Sequence, residues 1–225
     1  LTLARDYGAH VVGVTLSKEQ HAIAVKRAQD AGLSDRIDIR LQDYRDVTES
    51  FDRIVSVGMF EHVGVPYYDQ YFGKVKDLLK DDGLALIHTI GHVGPPNYSD
   101  PWMVKYIFPG GYSPALSEMV APIDKHYLVL QDIEVLRTHY SKTLGHWHDR
   151  FMEKADKARA LYDDRFVRMW RYYLLAMEAA FRDGSLLVYQ VQIGKTFTAA
   201  PVTRDYLYPY EGEGSDKDAY AKAAE

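Results

Sequence analysis

Short apolar runs alternate with segments of helical periodicity through the first 91 residues of the chain. The apolar runs predict four strands, at 10–17, 37–44, 51–60 and 83–91, and the segments between them predict helices at 17–32 and 67–83. Strands that alternate with helices favour an α/β fold with a mostly parallel sheet that helices cover on both faces.

The first predicted helix carries signals at both ends. Ser17 is suited to the N-cap position, Gln20 stands three residues later where it can complete a capping box, and Gly32 can end the helix. The second predicted helix, 67–83, presents an apolar stripe in which Tyr68 and its successors at helical spacing face one side.

Beyond residue 91 the pattern changes to a loop-rich, aromatic stretch between proline and glycine breaks, which predicts an insertion at about 92–126. Two further strands are predicted at 127–136 and 185–194. Between them, a second cap insertion at 141–184 contains a helix, 165–182. One face of this helix is predicted to hold Phe166, Trp170, Tyr173, Met177 and Phe181. Periodicity is lost from 196 to 225, where we predict a flexible tail.

The composition is that of a globular chain. Of the 225 residues 47% are hydrophobic, and the formal charge of -5 comes from intermixed acidic and basic residues, so no basic stripe indicates a nucleic-acid partner. The absence of cysteine excludes a thiolate nucleophile, a disulfide and a Cys-based zinc site. No apolar run approaches the roughly 20 residues that span a bilayer.

Polar residues follow four of the predicted strands, in the groups Thr15 to Gln20, Asp43 with Tyr44, Glu61 with His62, and His88 to Gly91. Ligands of open parallel sheets bind outside the carboxyl ends of the strands, so these groups predict a binding site. Each residue also has a structural interpretation: Gln20 can cap a helix, Asp43 can solvate a loop, and His88 can be a core histidine with Glu61 as its partner.

Two other features carry little weight. His139, His146 and His148 are crowded together, but residues two apart on a helix diverge and no carboxylate spacing matches, so we predict no metal site. The Gly212 and Gly214 pair lies in the polar tail, where no strand precedes it.

The motifs "GVTLSKEQ", "LQDYRDV", "DRIVSVGMFEHVG", "LIHTIG", "DPWMVKYIFPGG" and "HYSKTL", taken together and in this order, closely resemble cyclopropane-fatty-acyl-phospholipid synthases. This family of S-adenosylmethionine-dependent methyltransferases includes the mycolic acid cyclopropane synthases, and the resemblance covers residues 1 to about 195. It implies a Rossmann-like class I methyltransferase fold with a final antiparallel strand and a helical, aromatic cap.

The resemblance implies transfer of a methylene group to the cis double bond of an unsaturated phospholipid acyl chain, through a carbocation that bound bicarbonate deprotonates. The implied catalytic residues are Glu61, His88, the backbone of Ile90, and Tyr140. The implied cofactor-binding residues are Thr15, Gln20, Asp43, Tyr44 and Val57. Aromatic faces can stabilise a cation, which gives Tyr106, Phe108, Tyr112, Trp170 and Tyr173 a predicted place in the substrate pocket beside their ordinary packing role.

The chain also departs from the family pattern. The glycine-rich cofactor turn, an upstream cysteine and an N-terminal domain are absent, and Met177 stands where the family often has a cysteine. The first residues look like the end of a helix, so we expect the sequence to start inside a domain, as a piece of a longer enzyme or as a truncated one.

The remaining expectations concern partners and alternatives. The resemblance implies a cytoplasmic enzyme, peripheral to the inner face of the cell membrane, that acts on membrane phospholipid, with a homodimer possible. Two alternatives stay open: a methyltransferase of the same superfamily acting on a small-molecule amine, and a non-catalytic fragment that binds lipid.

Overall fold

The computed structural model describes residues 1–208 and divides the chain into two compact units, which meet between Glu49 and Ser50 in the sequence. The first unit contains α1 (Thr2–Tyr7), β1 (Val11–Thr15), α2 (Lys18–Asp30) and β2 (Ile37–Leu41). β1 and β2 pair in parallel with Thr15 opposite Leu41, so both strands end at one edge of this sheet. The β-α-β pattern predicted for this region is confirmed.

The ends of α2 show which local signals the helix uses. Ser17 Oγ accepts a hydrogen bond from the Gln20 amide at 3.2 Å, and Gly32 follows the helix with a φ of 66°, as predicted. The predicted capping box is wrong, however. The Gln20 side chain accepts a hydrogen bond from Thr15 Oγ1 at 2.9 Å and does not return to the Ser17 amide, which donates to Thr15 Oγ1 instead.

The second unit holds the larger, four-stranded sheet. Its elements are β3 (Phe51–Val57), α3 (Tyr68–Leu78), β4 (Leu79–His92), α4 (Pro101–Tyr106), α5 (Leu116–Lys125), β5 (Val129–Leu136), α6 (His139–Met152), α7 (Ala155–Leu161), α8 (Asp164–Arg182) and β6 (Leu186–Gly194). The strand order is β3-β4-β6-β5, in which β3 and β4 are parallel and β6 runs antiparallel to both of its neighbours. The predicted final antiparallel strand is confirmed.

Helix α3 ends earlier than its sequence predicts. The apolar stripe extends to Leu79, but the helix stops at Leu78 and Leu79 is extended, because it pairs with Phe51 at the start of β4. The stripe buries Tyr68, Tyr71 and Phe72 almost completely. Tertiary pairing therefore overrides a helical periodicity that is continuous in the sequence.

Alternate residues of strand β4 face two environments, one fully buried and one half-buried. Ala85, Ile87 and Thr89 are fully buried on one face, whereas His88 and Ile90 lie on the opposite, half-buried face. The second face is the one on which the candidate site is built.

Helices α6 and α8 pack against each other around a second core. This cluster includes Leu144 from α6, and Tyr173, Leu174 and Phe181 from α8. The predicted aromatic face of α8 is confirmed by the stacked rings of Phe166 and Trp170, whose centroids are 5.9 Å apart.

The N-terminus of α8 provides a test of local stability. Asp163 caps the helix, because its Oδ1 accepts a hydrogen bond from the Phe166 amide at 2.7 Å. We expect Asp163→Ala to lower the free energy of unfolding by about 1 kcal/mol, measured by urea denaturation. Asp163→Asn keeps a capping oxygen and should recover most of the loss; equal stability of all three proteins would contradict the cap.

Part of the predicted tail contacts the sheet. In the described stretch 196–208, the Tyr206 hydroxyl donates to Gln192 Oε1 at 3.0 Å, and the Tyr208 hydroxyl donates to Glu134 Oε1 at 2.6 Å. The glycine pair at 212 and 214, and the rest of the predicted tail, lie outside the described residues. Within residues 1–208, no helix combines the length and apolarity that crossing a bilayer requires.

Candidate active site

The turn after β3 carries the acidic residue of the site. β3 ends at Val57, Gly58 turns the chain with a φ of 64°, and a short 3-10 turn, Phe60–His62, follows. Phe60 is fully buried and stacks on Tyr68 with ring centroids 4.2 Å apart. The buried Phe60 thus anchors the turn and fixes the direction in which its neighbour Glu61 projects.

Glu61 reaches the backbone of β4. Its Oε1 accepts a hydrogen bond from the Ile90 amide at 2.7 Å. β3 ends opposite His88, two residues before Ile90. On the β3 side of β4, the Ile90 amide therefore has no strand partner, and Glu61 accepts its hydrogen bond instead. The expected partnership between Glu61 and His88 is therefore wrong, because the carboxylate binds the backbone two residues further along the same face.

The second carboxylate oxygen of Glu61 has no such partner. Glu61 Oε2 is shielded from solvent and makes no hydrogen bond with any described residue. A buried charged oxygen without a donor costs free energy, so it marks a place where a ligand or a further side chain is expected to bind.

A cavity of about 770 Å³ lies beside this carboxylate, within the second unit. Its volume is in the range of small-molecule sites. The polar residues on its wall include Glu61, His62, His92, Asn97, Ser99, Tyr112 and Tyr140, and the apolar ones include Met103, Val104, Phe108, Tyr173, Met177, Phe181 and Leu186. A mostly apolar wall with a few polar groups suits a ligand that is largely hydrocarbon.

Tyr140 belongs to the first turn of α6 and lines the cavity together with Glu61. Its ring is held edge-on against Phe181, with centroids 4.9 Å apart. Burial, and then the negative charge of Glu61, raises the pKa of the Tyr140 phenol. Tyr140 is therefore a neutral hydrogen-bond donor at physiological pH, close enough to Glu61 to respond to its charge.

Of the predicted catalytic residues, Glu61, Ile90 and Tyr140 all line this one cavity. His88 does not line it. It lies on the same face of β4 as Ile90, pairs with Val57 across the parallel strands, and accepts the Gly58 amide through its backbone oxygen at 3.0 Å. His88 therefore connects the end of β3 to the site, but its imidazole has no hydrogen-bond partner among the described residues.

The predicted pocket aromatics divide in the same way. Phe108, Tyr112 and Tyr173 line the cavity, whereas Tyr106 and Trp170 do not. Trp170 packs between Phe166 and Tyr173 and so supports the wall from behind. Burial raises the pKa of Tyr173 to about 12, so its phenol remains neutral in the cavity wall.

Tyr112 is held firmly in the wall. Its amide donates to the Glu61 backbone oxygen at 2.9 Å, and its hydroxyl donates to Glu118 Oε2 at 2.8 Å. Burial and this carboxylate raise the pKa of Tyr112 to about 12. Glu118 also accepts the Ala115 amide at 2.8 Å, so one side chain fixes both the loop and the start of α5.

His92 is a cavity residue that sequence reasoning missed. Its backbone amide donates to Pro114 O at 3.1 Å, and its ring Nδ1 lies 3.1 Å from Val93 O. A carbonyl at that distance requires a proton on Nδ1, which leaves Nε2 as an acceptor in the neutral ring. The alternation of β4 after "HTIG" places residue 92 on the same face as Ile90, and this was the available signal.

The predicted cofactor residues of the first unit lie at the carboxyl edge of its sheet. Thr15, the last residue of β1, is hydrogen-bonded to Gln20, and Asp43 follows β2. Hydrogen bonds from Arg45 hold the pKa of Asp43 at about 2, so this carboxylate is ionised and shares both oxygens with the guanidinium. Burial raises the pKa of the adjacent Tyr44 phenol. Val57, in the second unit, ends β3.

The sheet of the second unit combines parallel and antiparallel strands, helices flank it, and polar groups gather where β3 ends. Class I S-adenosylmethionine-dependent methyltransferases have this arrangement. Residues 1–191 match the family model "Mycolic acid cyclopropane synthetase". The chain belongs to this family.

Individual relatives agree with this family assignment. The chain is 43% identical over 189 residues to "Cyclopropane-fatty-acyl-phospholipid synthase" of Escherichia coli K12, covering 84% of this chain and 48% of the relative. It is 40% identical over 189 residues to "Tuberculostearic acid methyltransferase UfaA1" of Mycobacterium tuberculosis, covering 81% and 44%. The structure of mycolic acid cyclopropane synthase CmaA1 complexed with SAH and CTAB matches with a TM-score of 0.79 at 28% identity, covering 85% and 72%. The chain spans about half the length of these curated relatives.

Proposed function

We propose that this protein transfers a methylene group from S-adenosylmethionine to the cis double bond of an unsaturated phospholipid acyl chain, forming a cyclopropane ring. The observation that carries the proposal is the meeting of Glu61, the Ile90 amide and Tyr140 on one largely apolar cavity. The names of the relatives, a cyclopropane-fatty-acyl-phospholipid synthase and a tuberculostearic acid methyltransferase, support an acyl-chain substrate.

The chemistry explains why such a cavity is needed. An alkene is a weak nucleophile, so the protein must hold the double bond in line with the donor methyl group and exclude water. The apolar wall that includes Met103, Phe108 and Met177 would supply the dry surface for the acyl chain. The phenol rings of Tyr140 and Tyr173 would face the cationic carbon without attacking it.

Ring closure then requires loss of a proton from the transferred carbon. Bicarbonate, when bound, would accept that proton. The residues present fit this anion, because the Tyr140 phenol is a donor, and Glu61, held at Oε1 by the Ile90 amide, is an acceptor for its hydroxyl through the buried, unpartnered Oε2. His88 lies on the same face of β4 but does not line the cavity, so its place in the cradle stays a prediction from the family resemblance.

The cofactor would be held by the residues that follow the parallel strands. We propose Thr15, Gln20, Asp43 and Tyr44 of the first unit for this role, on the strength of their strand-end positions. Asp43 would have to bind its ligand while it remains paired to Arg45, through lone pairs that the guanidinium leaves open.

Lipid would enter from the aromatic side of the cavity. Tyr98 lines the cavity and is 98% exposed, and Val93 and Phe108 are both cavity-lining and exposed. Lys105, in the helix α4 that precedes Phe108, lies over the ring of Tyr106. Exposed apolar side chains beside a cation are suited to a peripheral contact with the headgroup region of a membrane.

The activity of a Tyr140→Phe variant distinguishes cyclopropane formation from methylation of an amine. The variant keeps the ring contact with Phe181 but loses the donor, so we expect cyclopropane product to fall by on the order of 10². Product is measured by incubating the purified protein with unsaturated phospholipid vesicles and labelled S-adenosylmethionine. An amine acceptor needs no base for a carbocation, so full retention of activity would favour that alternative. Absence of heat on titration with S-adenosylhomocysteine would favour a non-catalytic lipid binder.

A further inference from the structure

Two side chains in the cavity wall each hold a buried polar atom that has no hydrogen-bond partner among the described residues. They are Glu61, at Oε2, and His92, at Nε2. Both atoms are acceptors, one a carboxylate oxygen and the other the ring nitrogen that carries no proton when Nδ1 donates to Val93 O. A buried acceptor without a donor costs free energy, so each atom marks a place where a ligand hydroxyl is expected. The proposed function uses Glu61 Oε2 and leaves His92 Nε2 without a task.

Backbone and ring contacts hold His92 in one place. It is the last residue of β4, where its amide donates to Pro114 O at 3.1 Å and its backbone oxygen accepts from the Tyr189 hydroxyl at 3.3 Å. The hydrogen bond from Nδ1 to Val93 O, at 3.1 Å, then sets the direction of the ring. The position of Nε2 is therefore fixed by the fold.

The alternation of β4 places His92 and the Glu61 carboxylate along one face of the same strand. Glu61 is bound to the Ile90 amide, and residue 92 follows on the same face, roughly 7 Å further along. A small planar anion with a hydrogen bond of about 2.7 Å at each end spans a distance of this order. One such anion can therefore contact Glu61 Oε2 and His92 Nε2 at the same time.

The number of these acceptors matches the protonated form of the anion. Bicarbonate carries one hydroxyl, which Glu61 Oε2 would accept. On ring closure a C–H bond of the transferred carbon breaks, its electron pair forms the last C–C bond of the ring, and the proton goes to the anion. The anion then carries two hydroxyls, and the second one needs a second acceptor. Within the described part of the cavity wall, His92 Nε2 is the remaining buried acceptor without a partner.

We propose that His92 is a proton acceptor of the reaction, whose Nε2 takes the proton that the anion receives from the transferred carbon and so restores bicarbonate within the cavity. This inference rests on the proposed function. An O–H bond of the protonated anion breaks, an N–H bond forms at Nε2, and the imidazolium then loses that proton to water. The surroundings suit the positive charge, because the described cavity wall includes the carboxylates of Glu61 and Asp100 and no lysine or arginine.

His92→Asn tests the assignment, because an asparagine amide can still donate to Val93 O but offers no group at the position of Nε2. With purified protein, unsaturated phospholipid vesicles and labelled S-adenosylmethionine, we expect cyclopropane product to fall by about 10²-fold, as for loss of a group that assists proton transfer. His92→Gln offers an oxygen near that position but cannot take up a proton, so it should be equally impaired. His148→Asn is the matched control and should keep full activity, since His148 Nε2 is also buried and unpartnered but His148 does not line the cavity.

Two further readouts separate proton transfer from a structural role. At a constant bicarbonate concentration, the rate of the unmodified protein should fall as the pH is lowered, because an imidazole that already holds a proton at Nε2 cannot accept another; His92→Asn should lack this dependence. In ¹⁵N NMR spectra with S-adenosylhomocysteine bound, added bicarbonate should shift the Nε2 signal of His92 and leave that of His148 in place. The other titratable side chains around His92 are Glu61, His62, Tyr98, Asp100, Tyr112, Tyr140 and Tyr173 in the wall, and Tyr189 of β6.

Unchanged turnover and pH dependence in His92→Asn, full turnover in His92→Gln, or an equal loss in His148→Asn would each overturn the assignment. If the unmodified protein makes no cyclopropane product, the proposed function fails on its own. The NMR shift on addition of bicarbonate then decides independently whether His92 meets the anion.

Discussion

Glu61→Gln is expected to reduce cyclopropane formation by about 10²- to 10⁴-fold, the usual range for loss of a group that assists proton transfer. Glutamine retains an oxygen for the Ile90 amide, so the turn after β3 keeps its anchor. At the second position, however, an acceptor is replaced by a donor, which cannot receive the hydroxyl of bicarbonate. The chemistry therefore fails while the fold is preserved.

Two measurements check this result. Product is quantified from labelled S-adenosylmethionine and unsaturated phospholipid, and S-adenosylhomocysteine affinity is measured by calorimetry, where we expect little change. Glu153→Gln makes the same substitution at an exposed position of the α6 C-terminus and should keep full activity. Partial restoration of turnover by added bicarbonate would strengthen the assignment, and a Glu61→Gln variant with normal turnover would remove Glu61 from the mechanism.

Gly91→Ala is expected to destabilise the protein by about 1–3 kcal/mol or more, as overpacking of a rigid interior does. Gly91 ends the "HTIG" motif on the buried face of β4. A Cβ there would collide with the ring of Tyr189 and would lie 2.9 Å from Pro114 O. The glycine thus permits the close approach of β4 to the loop that His92 joins through its hydrogen bond to Pro114.

The same substitution at Gly145 provides the control with the opposite sign. Gly145 lies inside α6, where a Cβ would make only ordinary contacts near 3.9 Å with Glu178. Alanine is favoured over glycine in a helix interior by roughly 1 kcal/mol, so Gly145→Ala should raise the free energy of unfolding. Urea denaturation of both variants tests the contrast, and equal stabilities would show that β4 can relax around residue 91.

The strand and helix order of this chain was predictable because its apolar periods are strong. The stacked face of α8 and the presence of a strand at β6 follow from such patterns, whereas the antiparallel direction of β6 was implied by the family resemblance. The end of α3 was not predictable, because Leu79 continues the helical stripe and only its pairing with Phe51 makes it extended. Periodicity reports which face is apolar, but pairing between distant segments decides where an element ends.

The site was predictable in part, for a related reason. Strand-end position indicated Glu61, and the family resemblance added Ile90 and Tyr140, which share one cavity with it. Hydrogen-bond partners were not predictable: Gln20 binds Thr15 rather than Ser17, and Glu61 binds a backbone amide rather than His88. Such choices depend on where β3 stops relative to β4, which is a matter of tertiary register.

The most direct measurement is a crystal structure of the protein with S-adenosylhomocysteine and bicarbonate. We predict a planar anion that contacts Glu61 and the Tyr140 hydroxyl together, with the Ile90 amide still bonded to Glu61 Oε1. An anion bound elsewhere, or a Tyr140 hydroxyl that faces away from Glu61, would contradict the account.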